Sequence, residues 1–208
     1  MFQLFQLIVF IFSVIVHEVS HGVVALRLGD TTARDAGRLT LNPLKHLELF
    51  GSFLLPLLLY VATSGTVVFG WAKPVPYDPR RLREPKRGSG LIAAAGPLSN
   101  IIVAVIFGIF IRLASFSAAL ASTPLLLFFH TIVLINLLLA VFNLVPLPPL
   151  DGSKVLFAFL PPQYNAIRDF LERYGFTILL LLIFFGFRLI EPMIYGLYQL
   201  IVGGQALL

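Results

Sequence analysis

The chain is 208 residues long, 58% hydrophobic and only 12% charged, with a mean hydropathy of +0.94. Soluble domains carry about twice that share of charge, so the composition excludes a soluble enzyme with a tail and describes a polytopic membrane protein. The net charge of +5 would suggest nucleic acid in a soluble chain, but here the basic residues gather in loops beside apolar segments, where they set topology and touch anionic lipid, and nucleic-acid binding is not expected.

The first predicted element is an apolar helix over residues 4–27. It starts Met1-Phe2-Gln3-Leu4, with no basic residue and no small-residue cleavage site after the apolar run, unlike a secretory signal peptide. The first basic residues, Arg27, Arg34, Arg38 and Lys45, follow this helix, so the positive-inside rule places the N-terminus outside and the next loop in the cytoplasm. Within the helix lies His17-Glu18-Val19-Ser20-His21. Histidines four apart share a helix face and can reach one Zn²⁺, with Glu18 beside them to deprotonate a water; the pattern is HExxH. A carboxylate near a bilayer interior costs about 2.5–3.5 kcal/mol and needs a compensating role. The alternative is a polar patch facing a helix bundle, its histidines hydrogen-bonded and Glu18 protonated.

Residues 50–72 are apolar but broken by Pro56 and by Thr63-Ser64-Gly65-Thr66, and a second basic loop follows, with Lys73, Arg80, Arg81, Arg83, Lys86 and Arg87. A single crossing would put this loop outside, so a re-entrant or hairpin element is expected. Spans are predicted over 91–114 and 123–145, joined by the uncharged residues 115–122 and followed by Lys154, Arg168 and Arg173 on the cytoplasmic side. Residues 175–202 form one tilted span, or two pieces divided near Arg188, Glu191 and Pro192. The expected fold is an all-α polytopic membrane protein of about five or six membrane elements, one domain over 1–208.

A catalytic zinc takes three protein ligands and keeps one position for water. With no cysteine in the chain, the third ligand must be a histidine or carboxylate. Asp30, Asp35, Asp78, Glu84, Asp169 and Glu172 belong to basic, solvated stretches. Asp151 differs: it closes the run from Asn143 to Gly152, NLVPLPPLDG, directly after the third span, where three prolines preclude regular helix. Its alternative role is to cap a helix over 153–160, but its depth, shared with His21, favours ligation.

HEVSH, NLVPLPPLDG and Ala95-Gly96-Pro97-Leu98-Ser99-Asn100, in that order, resemble the paired motifs and the Gly-x-x-x-Asn type segment of the site-2 proteases, a family of intramembrane zinc metalloproteases. The resemblance covers about residues 5–160, leaving 161–208 as a C-terminal helical region, and GRLTLNPLKH and GWAKPVP are also similar to short bacterial and archaeal members. The stretch between HEVSH and AAAGP looks longer than the minimal core of that family, and no PDZ or CBS domain is expected.

The resemblance implies one Zn²⁺ per chain held by His17, His21 and Asp151, with Glu18 as general base in peptide hydrolysis. It also implies that Asn100 and Asn143 hold the substrate backbone or stabilise the oxyanion; interhelical hydrogen bonds are the alternative for each. Gly96 is expected to serve close helix packing rather than chemistry. The implied partners are a membrane-spanning protein or peptide substrate and the lipid of a prokaryotic plasma membrane, with the active site toward the cytoplasm.

Since helical peptide bonds are shielded, substrate must be held extended, and residues 36–46 and 69–77 are expected to supply a membrane-level β-hairpin for strand addition, a reading that the resemblance supports and periodicity does not. His46 is expected to be a solvated loop histidine and His130 a packed, hydrogen-bonded one. The competing class is a non-hydrolytic zinc-binding protein or zinc/proton carrier. A carrier has no need of Glu18 between two ligand histidines, and the paired halves of many transporters are not apparent.

Overall fold

The computed structural model describes residues 1–46, 73–114 and 123–203, with a few isolated positions between them. Its long helices are α1 (Phe2–Arg27), α2 (Pro85–Ala114), α3 (Leu125–Asn143), α4 (Asp151–Phe159), α5 (Asn165–Leu181) and α6 (Phe187–Val202). Three of them, α1, α2 and α3, are long and apolar enough to cross a membrane, and the bent unit of α5 and α6 makes a fourth if it counts as one span. The expected 91–114 span thus begins six residues earlier, at Pro85, a favoured first helical residue because its missing N–H has no intrahelical partner there.

α5 runs on into a π-helical turn, Leu182–Gly186, and the segment that ends at Gly186 meets the one that begins at Arg188 with a bend of 73°. The break in the last apolar region therefore falls before Arg188, and Pro192 lies inside α6. Gly186, a poor helix former, takes the N-cap position of α6 and ends the preceding turn. The expected element over 50–72 falls outside the described residues, isolated positions apart.

Centrally placed, α2 packs against α1, α3 and α4, while α6 packs on α3 and α2. Close approach is possible because α2 buries small residues, among them Gly88, Gly90, Ala93, Ala95, Gly96, Ala104 and Gly108. One apolar cluster joins Ala104 and Ile111 of α2, Val133, Leu137 and Val141 of α3, and Ile190, Ile194, Tyr198 and Val202 of α6. In contrast, Leu4, Leu7, Phe10 and Phe12 of α1 and Ile102, Ile106, Ile109 and Phe110 of α2 are exposed. Apolar faces of that extent suit lipid, not water.

No strand forms among the described residues, so the β-hairpin expectation is not met. Residues 36–46 carry turns, a bend and a 3-10 turn, Pro43–Lys45, and 73–77 has no regular structure; 69–72 lies outside the described residues. Pro43, Pro74 and Pro76 withhold donors. The Arg38 guanidinium meanwhile takes the carbonyls of Lys45, Lys73 (2.6 Å) and Pro74 (3.3 Å) that a ladder would use. One backbone bond, Lys73 N–H to His46 O at 2.9 Å, links the two stretches.

Candidate metal centre

Ser13, His17 and His21 recur every four residues and are the buried polar stripe of α1, turned toward α2. Opposite them stands Gly96. A Cβ at that position would come within 2.5 Å of His17 Nε2 and 2.6 Å of His21 Cε1, so only glycine leaves room for both rings. The close packing expected of Gly96 is thus packing against the site histidines themselves.

Asp151 opens α4 with Leu150 at the N-cap and without a side-chain cap bond, so the capping alternative does not describe it. Its neighbour Gly152 lets α4 begin hard against the end of α3; a Cβ there would lie 2.2 Å from Leu144 O. The carboxylate is thereby turned to the histidines, with Oδ2 at 3.0 Å from His17 Nε2 and 3.1 Å from His21 Nε2.

The far side of each ring is fixed. His17 Nδ1 lies 2.7 Å from Asn100 Oδ1, and His21 Nδ1 lies 2.6 Å from Ile92 O. Both oxygens only accept, so each Nδ1 carries the hydrogen and donates it, and in the neutral ring, the form that binds a metal, each Nε2 then turns a lone pair to Asp151. Two nitrogen lone pairs and a carboxylate oxygen converging this closely repel one another unless a cation is shared among them. Tetrahedral ligands at zinc distances sit about 3.3 Å apart, near the spacing observed. The donor set and the glycine cradle fit a zinc ion. Ligand atoms of His17, Glu18 and His21 also lie within 4.8 Å of one another.

Glu18 is held differently. Its Oε2 accepts the Val75 N–H at 2.9 Å, and Pro74 and Pro76 on either side leave Val75 as the one amide donor of that run. The pocket at this point has a volume of about 190 Å³ and is lined by both histidines, Glu18, Val75, Asn143 and Asp151, among others.

Asn143 lines that pocket while its Nδ2 donates to Leu139 O at 2.9 Å. Asn100 does not line it: fully buried behind His17, it donates through Nδ2 to Asn136 Oδ1 (2.9 Å) and Ser13 O (3.2 Å). Asn136 donates in turn to Ser13 Oγ at 2.9 Å. The interhelical alternative describes Asn100, for its amide is committed to three helices. Ser13 and Asn136 are residues that sequence reasoning missed, although Asn136 is a lone amide in an apolar span and Ser13 sits one turn before His17.

His46 is buried, not solvated, with Nε2–H donating to Thr40 O at 2.8 Å and its backbone carbonyl accepting the Lys73 N–H at 2.9 Å. His130 is packed as expected, hydrogen-bonded to Tyr198 of α6. Outside the helices, Asp30 anchors the loop after α1, accepting from Thr32 N–H (3.0 Å) and from Asp78 N–H (2.7 Å). Burial alone would raise its carboxyl, but these donors, the Thr32 hydroxyl and the charge of Arg81 outweigh that and hold it below the usual carboxylate range.

A helical bundle that closes two histidines of an HExxH helix against a carboxylate from a later turn defines a zinc-hydrolase type of centre. The model of peptidase family M50 matches residues 5–119 and 107–182. Among similar proteins, the "Putative zinc metalloprotease YwhC" of Bacillus subtilis (strain 168) is 40% identical over 182 residues, covering 86% of this chain and 79% of that protein. The "Putative zinc metalloprotease Rip2" of Mycolicibacterium smegmatis is 29% identical over 174 residues, 82% of this chain and 63% of its own. The "Zinc metalloprotease MJ0392" of Methanocaldococcus jannaschii is 33% identical over 104 residues, 49% of this chain and 29% of its own. No solved structure matches. The chain belongs to peptidase family M50, the zinc metalloproteases of site-2 protease type.

Proposed function

We propose that this protein hydrolyses peptide bonds of membrane-spanning or membrane-anchored substrates at a zinc held by His17, His21 and Asp151. The observation that carries the reading is the approach of Asp151 Oδ2 to both Nε2 atoms, at 3.0 and 3.1 Å. A bound zinc ion supplies Lewis acidity and brings the pKa of a water toward about 7. Glu18 accepts the proton of the attacking water on its carboxylate and passes it to the leaving amine nitrogen, so the group ends the cycle ionised, as it began. The Val75 N–H holds one Glu18 oxygen and leaves the other for that transfer. Asn143, at the pocket wall, donates one Nδ2 hydrogen to Leu139 O and offers the other to a substrate carbonyl. Asn100 acts on His17, fixing its tautomer and ring orientation through a chain that ends in Asn136 and Ser13.

The depth of the site suits an intramembrane substrate. The metal end of the bundle is bordered by both basic loops, which hold Arg27, Arg34, Arg38 and Lys45 and then Lys73, Arg80 and Arg81. By the positive-inside rule this end faces the cytoplasm and the N-terminus lies outside. The test is Glu18→Gln, assayed for bound zinc and for cleavage of single-span peptides. Zinc at the wild-type level with cleavage lost by about 10³-fold or more supports the base assignment, and retained cleavage removes it.

A further inference from the structure

Beside the metal pocket lies a larger groove of about 700 Å³, and the two share Tyr77, Pro149 and Lys154 as walls. Its floor comes from the start of α2, from Pro148-Pro149 and from α4, and α5 closes it with Arg168 and Glu172. The charge is uneven. Arg168 is paired with Glu172 at 2.8 Å, whereas Lys86 and Lys154 meet no carboxylate among the described residues. Lys86 donates to the Leu160 carbonyl and Lys154 stands over the Tyr77 ring, 5.5 Å from its centroid. Lys154 is one helical turn beyond Asp151, so its ammonium group marks the junction of groove and metal pocket.

We propose that this groove is a specificity subsite that takes the polar flank of the substrate, beyond the scissile bond, and that Lys154 and Lys86 select glutamate or aspartate there. The inference rests on the reading of the metal centre as a peptide hydrolase. Three features of the groove argue for it. A peptide drawn extended through the small metal pocket rises about 3.3 Å per residue, so residues close to the scissile bond already need the adjoining space. The groove offers apolar walls, Tyr77, Phe157 and Pro149, for the stems of side chains, and for their ends two cations that meet no carboxylate among the described residues. A carboxylate flank also completes the charge that Glu172 supplies only for Arg168. Lys154, the second residue after the Asp151-Gly152 pair, therefore reads substrate where Asp151 itself faces the two histidines.

The test uses full-length, zinc-loaded protein in neutral detergent and single-span peptides of one apolar sequence, with three glutamates, three glutamines or three lysines on one flank and then on the other. For one flank, wild-type kcat/KM should be about tenfold higher for the glutamate than for the glutamine peptide, mainly through KM, and lowest for lysine. Lys154→Gln with Lys86→Gln should reduce the glutamate-to-glutamine ratio to near one, and Lys154→Glu should turn the preference toward lysine. The same ratios, read as Kd by fluorescence anisotropy on the Glu18→Gln background, need no turnover and so separate this subsite from the hydrolytic reading. Ratios near one in the wild type, or ratios that the Lys154 and Lys86 variants leave unchanged, overturn the proposal. So does a Lys154-dependent response to anionic lipid in vesicles with no dependence on peptide charge, which would make the groove a headgroup site.

Discussion

Gly96→Ala probes the metal centre without replacing a ligand. The added methyl would lie 2.5 Å from His17 Nε2 and 2.6 Å from both His17 Cε1 and His21 Cε1. Ordinary carbon contacts begin near about 3.5 Å, so the overlap is about 1 Å at three atoms, and either the rings leave their positions or α1 moves off α2. Overpacking of this sort costs about 1–3 kcal/mol of stability. The larger effect falls on function, since a 1 Å misplacement of reacting groups costs about 10²-fold in rate. The assay measures zinc affinity with a competing chelator and kcat/KM on a single-span peptide. The expected result is a drop of about 10²-fold in kcat/KM, with weaker zinc binding, in protein that still purifies as a folded species. Gly196→Ala is the control: nothing lies within 4 Å of its added Cβ, and alanine in a helix should be neutral or stabilising by up to about 1 kcal/mol. Wild-type zinc affinity and turnover in Gly96→Ala would refute the cradle argument.

Asp151→Ala removes the carboxylate that both Nε2 atoms face and should lower zinc occupancy at limiting metal; unchanged occupancy in metal analysis would return the ligand role to another residue. Asn100→Ala frees His17 Nδ1 and leaves Asn136 short of a partner, so zinc affinity should fall by about 10–100-fold, while KM for peptides that still turn over changes little; a rise in KM alone would place Asn100 at the substrate. Asp30 adds a pH dependence. Its native carboxyl lies below the usual range, so the stability it contributes is full above the unfolded value of about 3.9 and is lost as pH falls through the lower native value. Asp30→Asn should flatten that acid limb in thermal melts between about pH 2 and 5, and an unchanged slope would contradict the assignment.

Much of the site was legible because its chemistry is local. HExxH is a single helix face, and a charged run inside residues 4–27 is expensive enough in a bilayer to announce itself. Asp151 was legible through the prolines before it, which break the third span at the right depth. What escaped depends on long-range contacts. Ser13 and Asn136 look ordinary until α1, α2 and α3 meet, and Asn100 faces His17 rather than the pocket because α2 presents Gly96 and Asn100, one turn apart, to α1. The β-hairpin expectation rests on the family resemblance and on the place of residues 36–46 and 69–77 beside apolar segments. Arg38 instead uses its guanidinium on the carbonyls that would have made the ladder, and Val75 gives its amide to Glu18. His46 is expected to be solvated beside Lys45, yet it is buried, its ring bonded to Thr40 O and its carbonyl to the Lys73 N–H 27 residues away. No periodicity carries such information.

The most direct measurement is to incubate the purified wild-type protein with a single-span peptide and map the products by mass spectrometry, with zinc bound, with zinc chelated, and with zinc restored. The account predicts cuts inside or at the edge of the apolar segment that vanish with chelation, return with zinc, and are absent from Glu18→Gln. Cuts that persist without zinc, or that persist in Glu18→Gln, would contradict it.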